Sequence, residues 1–105
     1  MNNIQKSNDL LKLFNELKQI MIEENESNWI RGVNLIIEVL TPPGYGGKEN
    51  ADEAVRYVST TYRDMVSGNG SFSDFFIWRD DFDKREIANK KLDGVRSDIW
   101  ALIDA

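Results

Sequence analysis

The sequence contains neither cysteine nor histidine among its 105 residues. Without cysteine there can be no disulfide framework and no thiolate nucleophile. Without histidine, the Ser-His-Asp and Cys-His nucleophile systems and the usual zinc ligand sets are excluded as well. An enzyme would depend on carboxylates, lysine, tyrosine or a hard metal ion, and no two of the acids stand out as a catalytic pair. We therefore interpret the chain as a binding protein, with no catalytic residues, no metal site and no cofactor.

Long apolar runs are also missing. The run from Leu35 to Ile37 is broken by Glu38, and no apolar run in the sequence approaches the length of a membrane-spanning helix. The N-terminal residues 1–6 have no apolar run after a basic start, so they do not resemble a signal peptide. We predict a cytoplasmic protein that does not associate with membranes.

The residues that are present are typical of a globular protein, because 41% are hydrophobic and 30% are charged. The length predicts a single domain over residues 1–105. Residues 49–83 hold eight of the 18 acids but only three of the 13 bases, so this region carries the whole net charge of −5. An acidic surface repels nucleic acid and attracts basic partners, although the same excess also suits a merely solvated face. We expect no binding of nucleic acid.

Apolar residues recur with the helical period in four segments. The first helix is predicted over about residues 7–24, with Ser7 as its N-cap. The second is predicted over about residues 28–40, with Ser27 as its cap. The second segment is rich in β-branched residues, which leaves a strand as an alternative.

The third and fourth helices have clearer starting points. Asn50 with Glu53, and Asp83 with Glu86, both fit the capping-box pattern. The third helix should bury Ala51, Ala54, Val55, Val58, Tyr62 and Met65. The fourth should bury Ile87, Ala88, Leu92, Val95, Ile99, Leu102 and Ile103. The predicted fold is all-α: a four-helix single domain with an irregular aromatic segment, residues 72–78, between helices 3 and 4.

Two motifs resemble ligand sites but lack essential residues. The glycine-rich turn before Glu49 resembles a phosphate loop, but Pro42 replaces its first glycine and Glu49 its Ser or Thr. Asp81 and Asp83 fit two positions of a calcium loop, but Leu92 replaces its final glutamate. A turn between helices and a helix cap explain these segments more simply.

One segment resembles a small uncharacterised bacterial domain family. Tyr62 ends a helix, and the chain continues with Gly70-Ser71-Phe72 and an aspartate two places on, Asp74. The family has the same Gly-Ser-Phe-x-Asp turn, followed by a final helix. Further matches are Trp29 and, in the last helix, Asn89, Leu92 and Arg96. The loop at residues 41–47 departs from the family's pattern.

Small acidic bacterial domains of this kind resemble immunity proteins, which neutralise a secreted toxin by covering its active site. The resemblance implies a cognate toxin domain as the protein partner, and a basic nuclease would suit an acidic inhibitor. The expected partner-binding residues are Tyr45, Glu49, Asp52, Glu53, Asp74, Trp78, Asp80, Asp81 and Asp83. Tyr45 and Trp78 are the proposed aromatic anchors. The alternative is a homodimeric adaptor or regulatory protein-interaction module, and the sequence leaves the choice between monomer and homodimer open.

Overall fold

The computed structural model describes residues 2–67 and 71–104. Four α-helices occur in these residues: α1 (Asn3–Glu23), α2 (Ile30–Leu40), α3 (Ala51–Val66) and α4 (Phe82–Ile103). Two short 3-10 turns, Tyr45–Gly47 and Phe72–Asp74, precede α3 and α4. No strand occurs in the described residues, so the all-α prediction is confirmed and the strand alternative for α2 is wrong. Gly70, part of the Gly-Ser-Phe match, lies outside the described residues.

The first helix is the central element, since α2, α3 and α4 all pack against it. Contacts at its two ends give the helix directions. Asn3 at the start of α1 donates a hydrogen bond to Asp52 at the start of α3, and Phe14 meets Tyr62 further along. These two helices therefore run in parallel. Glu24, just past the end of α1, pairs with Arg79, just before α4, so α4 returns antiparallel to α1.

Aromatic side chains fill the centre of the core. Tyr62 is fully buried and makes edge-on contacts with Phe14 and Trp100, each with ring centroids 5.5 Å apart. Phe72, also fully buried, lies 6.4 Å from Tyr62 and 6.2 Å from Trp29. These rings join α1, α3 and α4 to the 3-10 turn at Phe72–Asp74. They fix the position of the segment that follows this turn.

The apolar spacing predicted the inner face of α3 correctly, since all six residues named for it are buried. In α4 the prediction holds for four of the seven named residues, all from Leu92 onward, while Ala88 and Leu102 are half-buried. Leu92, Val95, Ile99 and Ile103 are buried, whereas Ile87 is 70% exposed. No residue from 82 to 91 is fully buried. The first turns of α4 therefore lie outside the core.

The starts of α1 and α2 differ from the predictions. Asn2 caps α1 by accepting a hydrogen bond from the backbone N–H of Gln5. The predicted cap, Ser7, is buried inside the helix and donates its hydroxyl to the carbonyl of Ile4. The N-cap position of α2 is Trp29, which makes no side-chain capping bond, and the prediction of Ser27 is wrong.

The caps of α3 and α4 follow the predictions in part. Asn50 accepts a hydrogen bond from the backbone N–H of Glu53 at 3.0 Å, as expected for a cap. The Glu53 carboxylate accepts from the backbone of Glu49 and not from Asn50. In α4 the cap is Asp81, which accepts from the backbone N–H of Asp83 at 3.0 Å. The prediction of Asp83 as the cap was two residues too late.

Candidate protein-binding site

The segment between the second 3-10 turn and α4 is attached to α4 by an asparagine. The backbone N–H of Ile77 donates to Asn89 Oδ1 at 2.9 Å, and Asn89 Nδ2 donates to the Ile77 carbonyl at 2.8 Å. A neighbouring β-strand would satisfy the two polar groups of one residue in the same way. The Ile77 side chain is 3% exposed. The bonds between Asn89 and Ile77 therefore fix the register of the segment against α4.

A half-buried arginine holds the beginning of the same segment. Arg96 donates to the carbonyls of Phe72 and Phe75 at 3.0 and 2.9 Å, and its guanidinium lies 4.9 Å from the Phe72 ring centroid. Burial lowers the pKa of Arg96, while Tyr62 and Asp93 oppose this effect. The side chain is only 17% exposed. Its guanidinium therefore serves mainly to hold the carbonyls of Phe72 and Phe75 in place.

An ion pair holds the other end of the segment. Arg79 Nη1 donates to Glu24 Oε1 at 2.7 Å, and Nη2 donates to Oε2 of the same carboxylate. The hydrogen bond from Arg79 lowers the pKa of Glu24, although burial opposes the shift. A two-pronged arginine–carboxylate pair restricts both side chains in orientation. Residues 72–79 are thus attached to the body of the protein at three points.

Four large apolar side chains remain exposed beside this segment. They are Phe76 at 59%, Trp78 at 64%, Phe82 at 58% and Ile87 at 70%, and we call these four residues the apolar cluster. Phe76, Phe82 and Ile87 line one open groove along the first turns of α4. Large apolar groups gathered at one place on a surface are typical of an interaction site.

Two members of the apolar cluster, Trp78 and Phe82, are held by polar neighbours. The guanidinium of Arg85 lies 4.2 Å from the Trp78 ring centroid and 5.4 Å from that of Phe82. The indole Nε1 of Trp78 donates to Asp80 Oδ1 at 3.2 Å. Side chains that are already held in place lose less conformational entropy when they bind. Trp78 and Phe82 are therefore suited to binding without rearrangement.

The structure separates the residues that the sequence assigned to one partner-binding surface. Asp52 lies beside Asn3 at the start of α1, and Glu49 and Glu53 adjoin it at the start of α3. Trp78 lies beside Arg79, at the opposite end of α1. The 21 residues of α1 span roughly 30 Å at 1.5 Å each. Two acidic ends therefore replace the single predicted surface.

The predicted residues at these two ends differ in how they are exposed. Asp80, Asp81 and Asp83 are all exposed beside Trp78. Tyr45, one of the two predicted anchors, is half-buried and packs against the core. Asp74 is exposed on the second 3-10 turn, before the segment that leads to Trp78. The acidic end that includes Trp78 is thus the one with a prominent aromatic side chain.

Sequence reasoning missed three members of the apolar cluster. Ile87 was assigned to the apolar stripe of α4, although it lies five residues before Leu92, which is about 140° around the helix. Phe76 lies in a run of aromatic residues too dense to sort into inward and outward positions, and the structure leaves Phe76 exposed while half-burying Phe75. The local signal that does exist is Ile77. Neighbouring side chains in an extended segment point to opposite sides, so Phe76 and Trp78 can stay exposed while Ile77 is buried.

A second, polar groove follows the outer face of α3. Its lining includes Arg56, Ser59, Thr60 and Arg63, and Arg63 pairs with Asp104 at 2.8 Å.

In the described residues we find no group of acidic side chains arranged to hold a metal ion. Within the same ranges, none of the helices has the length and apolar content needed to cross a bilayer.

Comparison of the chain with protein family models, with characterised proteins and with solved structures gave no match.

Proposed function

We propose that this protein binds a basic protein partner with the apolar cluster and the adjacent aspartates, and that the partner is a bacterial toxin domain which it neutralises. The observation that carries the proposal is the exposure of four large apolar side chains near one another. Phe76, Phe82 and Ile87 line one groove, and Arg85 lies over the rings of both Trp78 and Phe82. The structure supports the choice of binding surface, whereas the immunity function is implied by the family resemblance. Its physical requirement is a rigid surface with large anchors and negative charge.

The cluster provides the anchors. Tryptophan is enriched among interface residues whose truncation costs more than about 2 kcal/mol. Trp78 is held by Arg85 and Asp80, so its ring is presented in one orientation. Buried against a partner, it would contribute much of the binding energy.

The aspartates provide the charge. Residues 80–83 contain three aspartates and no base, and all three side chains are exposed. A nuclease surface must be basic to hold phosphates, so complementary charge would accelerate association and select against acidic partners. Covering the basic active site would then prevent the substrate from binding.

The experiment is capture of the tagged protein after co-expression with the products of the neighbouring genes, with the bound proteins identified by mass spectrometry. We expect one near-stoichiometric basic, toxin-like protein. With that protein purified, Trp78→Ala should weaken binding by about 30-fold, the equivalent of about 2 kcal/mol. The toxin's own activity should fall in proportion to the complex formed.

A charge-matched pair of variants locates the site. Asp80→Lys with Asp83→Lys changes the charge beside Trp78, and Glu49→Lys with Asp52→Lys makes the same change at the opposite end of α1. The first variant should lose the partner and the second should retain it. Retention by the first and loss by the second would move the site to the other acidic end. Absence of any stoichiometric partner would refute the proposed function.

A further inference from the structure

The segment from Phe75 to Arg79 is extended, and its side chains alternate between two sides. Phe75 has φ of −63° and ψ of 123°, and none of these five residues belongs to a helix or a turn. Phe75 and Arg79 are half-buried and Ile77 is buried, whereas Phe76 and Trp78 are exposed. A period of two is the pattern of a β-strand that packs on one face. The segment therefore has the geometry of a single β-strand.

One edge of this strand is occupied and the other is open. In an extended chain the backbone groups of successive residues point to opposite edges. Both backbone groups of Ile77 are bonded to Asn89, so those of Phe76 and Trp78 point to the other edge. Within residues 2–67 and 71–104, the N–H and carbonyl of Phe76 and the N–H of Trp78 make no hydrogen bond. The carbonyl of Trp78 accepts from Arg79 at 2.8 Å, which leaves three backbone groups free to pair.

An open strand edge is a template for pairing with another extended chain. Such an edge usually belongs to a sheet, whose other strands keep it straight. Here that role falls to Arg96, Asn89 and Glu24, which hold the segment at its beginning, middle and end. Because the strand is already in place, an incoming chain does not have to order it.

The free charges at the two ends of the open edge are acidic. Asp74 lies before the edge and Asp80 after it, and both are exposed. The nearby Arg79 is paired with Glu24, and Arg85 lies over two rings of the apolar cluster. A strand with lysine or arginine side chains would place opposite charges together. A second copy of this chain would bring acid to acid in either strand direction, so a basic strand is the favoured occupant.

We propose that an extended, basic segment of the partner protein adds as a β-strand to the open edge at Phe76 and Trp78. Its backbone bonds the three free groups, and every second side chain lies beside the exposed rings of these two residues. Main-chain bonds then add to the contacts of the apolar cluster. The identity of the partner rests on the proposed function, whereas the open edge does not, so a synthetic peptide can test it.

The test is an NMR titration of the isotopically labelled full chain with a capped peptide of about seven alternating lysines and valines. We expect a dissociation constant on the order of 1 mM. The amide signals of Phe76 and Trp78 should shift most, and that of Ile77 should shift little because its N–H is already bonded. Absence of binding up to about 10 mM would overturn the proposal.

Two further peptides serve as controls on wild type. The same peptide methylated at every backbone nitrogen keeps its charge and loses its donors, and it should bind at least about tenfold more weakly. A peptide with glutamate in place of lysine should not bind detectably, because the ends of the edge are acidic. Equal binding by the methylated peptide, or by the glutamate peptide, would overturn the proposal.

Two substitutions at one position separate the backbone from the side chain. Phe76→Ala removes the ring and keeps the N–H, whereas Phe76→Pro removes both. Proline suits this position because Phe75 already has the extended conformation that a following proline requires, so both variants should retain the helical circular dichroism of wild type. We expect Phe76→Pro to bind the lysine peptide at least about fivefold more weakly than Phe76→Ala. Equal affinities would overturn the proposal.

The outcomes distinguish this inference from the proposed function. A captured basic partner that binds Phe76→Pro as well as Phe76→Ala, but loses Trp78→Ala, would retain the proposed function and overturn strand addition. The expected peptide results without any captured partner would support the open edge and refute the function. A basic helical peptide that shifts the signals of α4 and not those of Phe76 and Trp78, and binds more tightly than the extended one, would overturn the proposal.

Discussion

Tyr62 combines complete burial with a hydroxyl that has no hydrogen-bond partner in residues 2–67 and 71–104. Its ring packs against Phe14, Phe72 and Trp100, so the ring contributes to the core while the hydroxyl lacks a compensating bond. Burying a polar group without such a bond costs free energy. Burial also raises the pKa of Tyr62 to about 12, although the positive charge of Arg96 opposes the shift.

The change Tyr62→Phe tests this description at neutral pH. It keeps the ring contacts and removes the hydroxyl, so we expect the free energy of unfolding to stay equal or rise by about 1 kcal/mol. Urea denaturation followed by circular dichroism would measure it. A loss of more than about 1 kcal/mol would show that the hydroxyl is bonded in the folded protein.

The raised pKa of Tyr62 predicts a loss of stability in alkaline solution. Between pH 10 and 12 the phenol ionises in the unfolded chain but stays protonated in the fold, so the unfolded state binds fewer protons and stability falls as pH rises. A shift of two units corresponds to about 3 kcal/mol. Parallel denaturation of wild type and Tyr62→Phe at pH 9 to 11.5 should show a steeper decline for wild type. Parallel curves would refute the prediction.

At the scale of elements, the segment at residues 75–79 depends on Asn89. The change Asn89→Ala leaves the N–H and the carbonyl of Ile77 without their partner, and we expect it to lower the free energy of unfolding by about 1–3 kcal/mol. Asn15→Ala on α1 is the matched control, because its side chain bonds only to the carbonyl of Leu11 at an exposed site. The control should change stability by less than about 0.5 kcal/mol. Equal effects would mean that Asn89 does not anchor the segment.

The turn between α2 and α3 contains two glycines with positive φ, Gly46 and Gly47, and Gly46 is the more crowded of the two. Gly46 has φ of +58°, and a Cβ there would lie 3.0 Å from Val39 Cγ2 and 3.1 Å from its Cα. Gly46→Ala should therefore lower the free energy of unfolding, measured by thermal or urea denaturation, by about 1–3 kcal/mol. Gly44 is the control, since its φ is −80° and nothing lies within 4 Å of its Cβ position. Gly44→Ala should be neutral or slightly stabilising, and an equal loss in both variants would contradict this account.

At the scale of the whole molecule, the distance between the acidic ends limits what one partner can cover. A standard interface of about 800 Å² per protein extends roughly 16 Å from its centre, whereas the second acidic end lies roughly 30 Å away along α1. The molecule measures 46 × 25 × 24 Å, so its long dimension is sufficient to keep the two acidic ends apart. A partner centred on the apolar cluster should not cover Glu49 and Asp52.

Association with the proposed basic partner should depend on salt. Between about 50 and 500 mM NaCl, association should slow by at least about tenfold, since exposed charges more than a Debye length apart are then screened. Surface plasmon resonance over this range of salt would measure the effect. An association rate that does not change with salt would contradict the role proposed for Asp80, Asp81 and Asp83.

The sequence by itself determined the helices and the inner face of α3. Alternating apolar and polar positions at the helical period leave α3 one way to bury its stripe, and all the residues expected there are buried. The cap at Asn50 was equally local, because its side chain bonds to a backbone group three residues away. Interactions within one or two helical turns can be predicted without knowledge of the remaining fold.

Only the tertiary structure decided which residues of the predicted apolar stripes stay exposed to solvent. Ile87 was assigned to the apolar stripe of α4, yet the first ten residues of α4 contribute nothing fully buried to the core. A periodic pattern records which face of a helix is apolar, but burial also requires a neighbouring element along that length. The same reason applies to the acids, since nearness in sequence gave Glu49 and Asp83 one surface while helix packing put them at opposite ends.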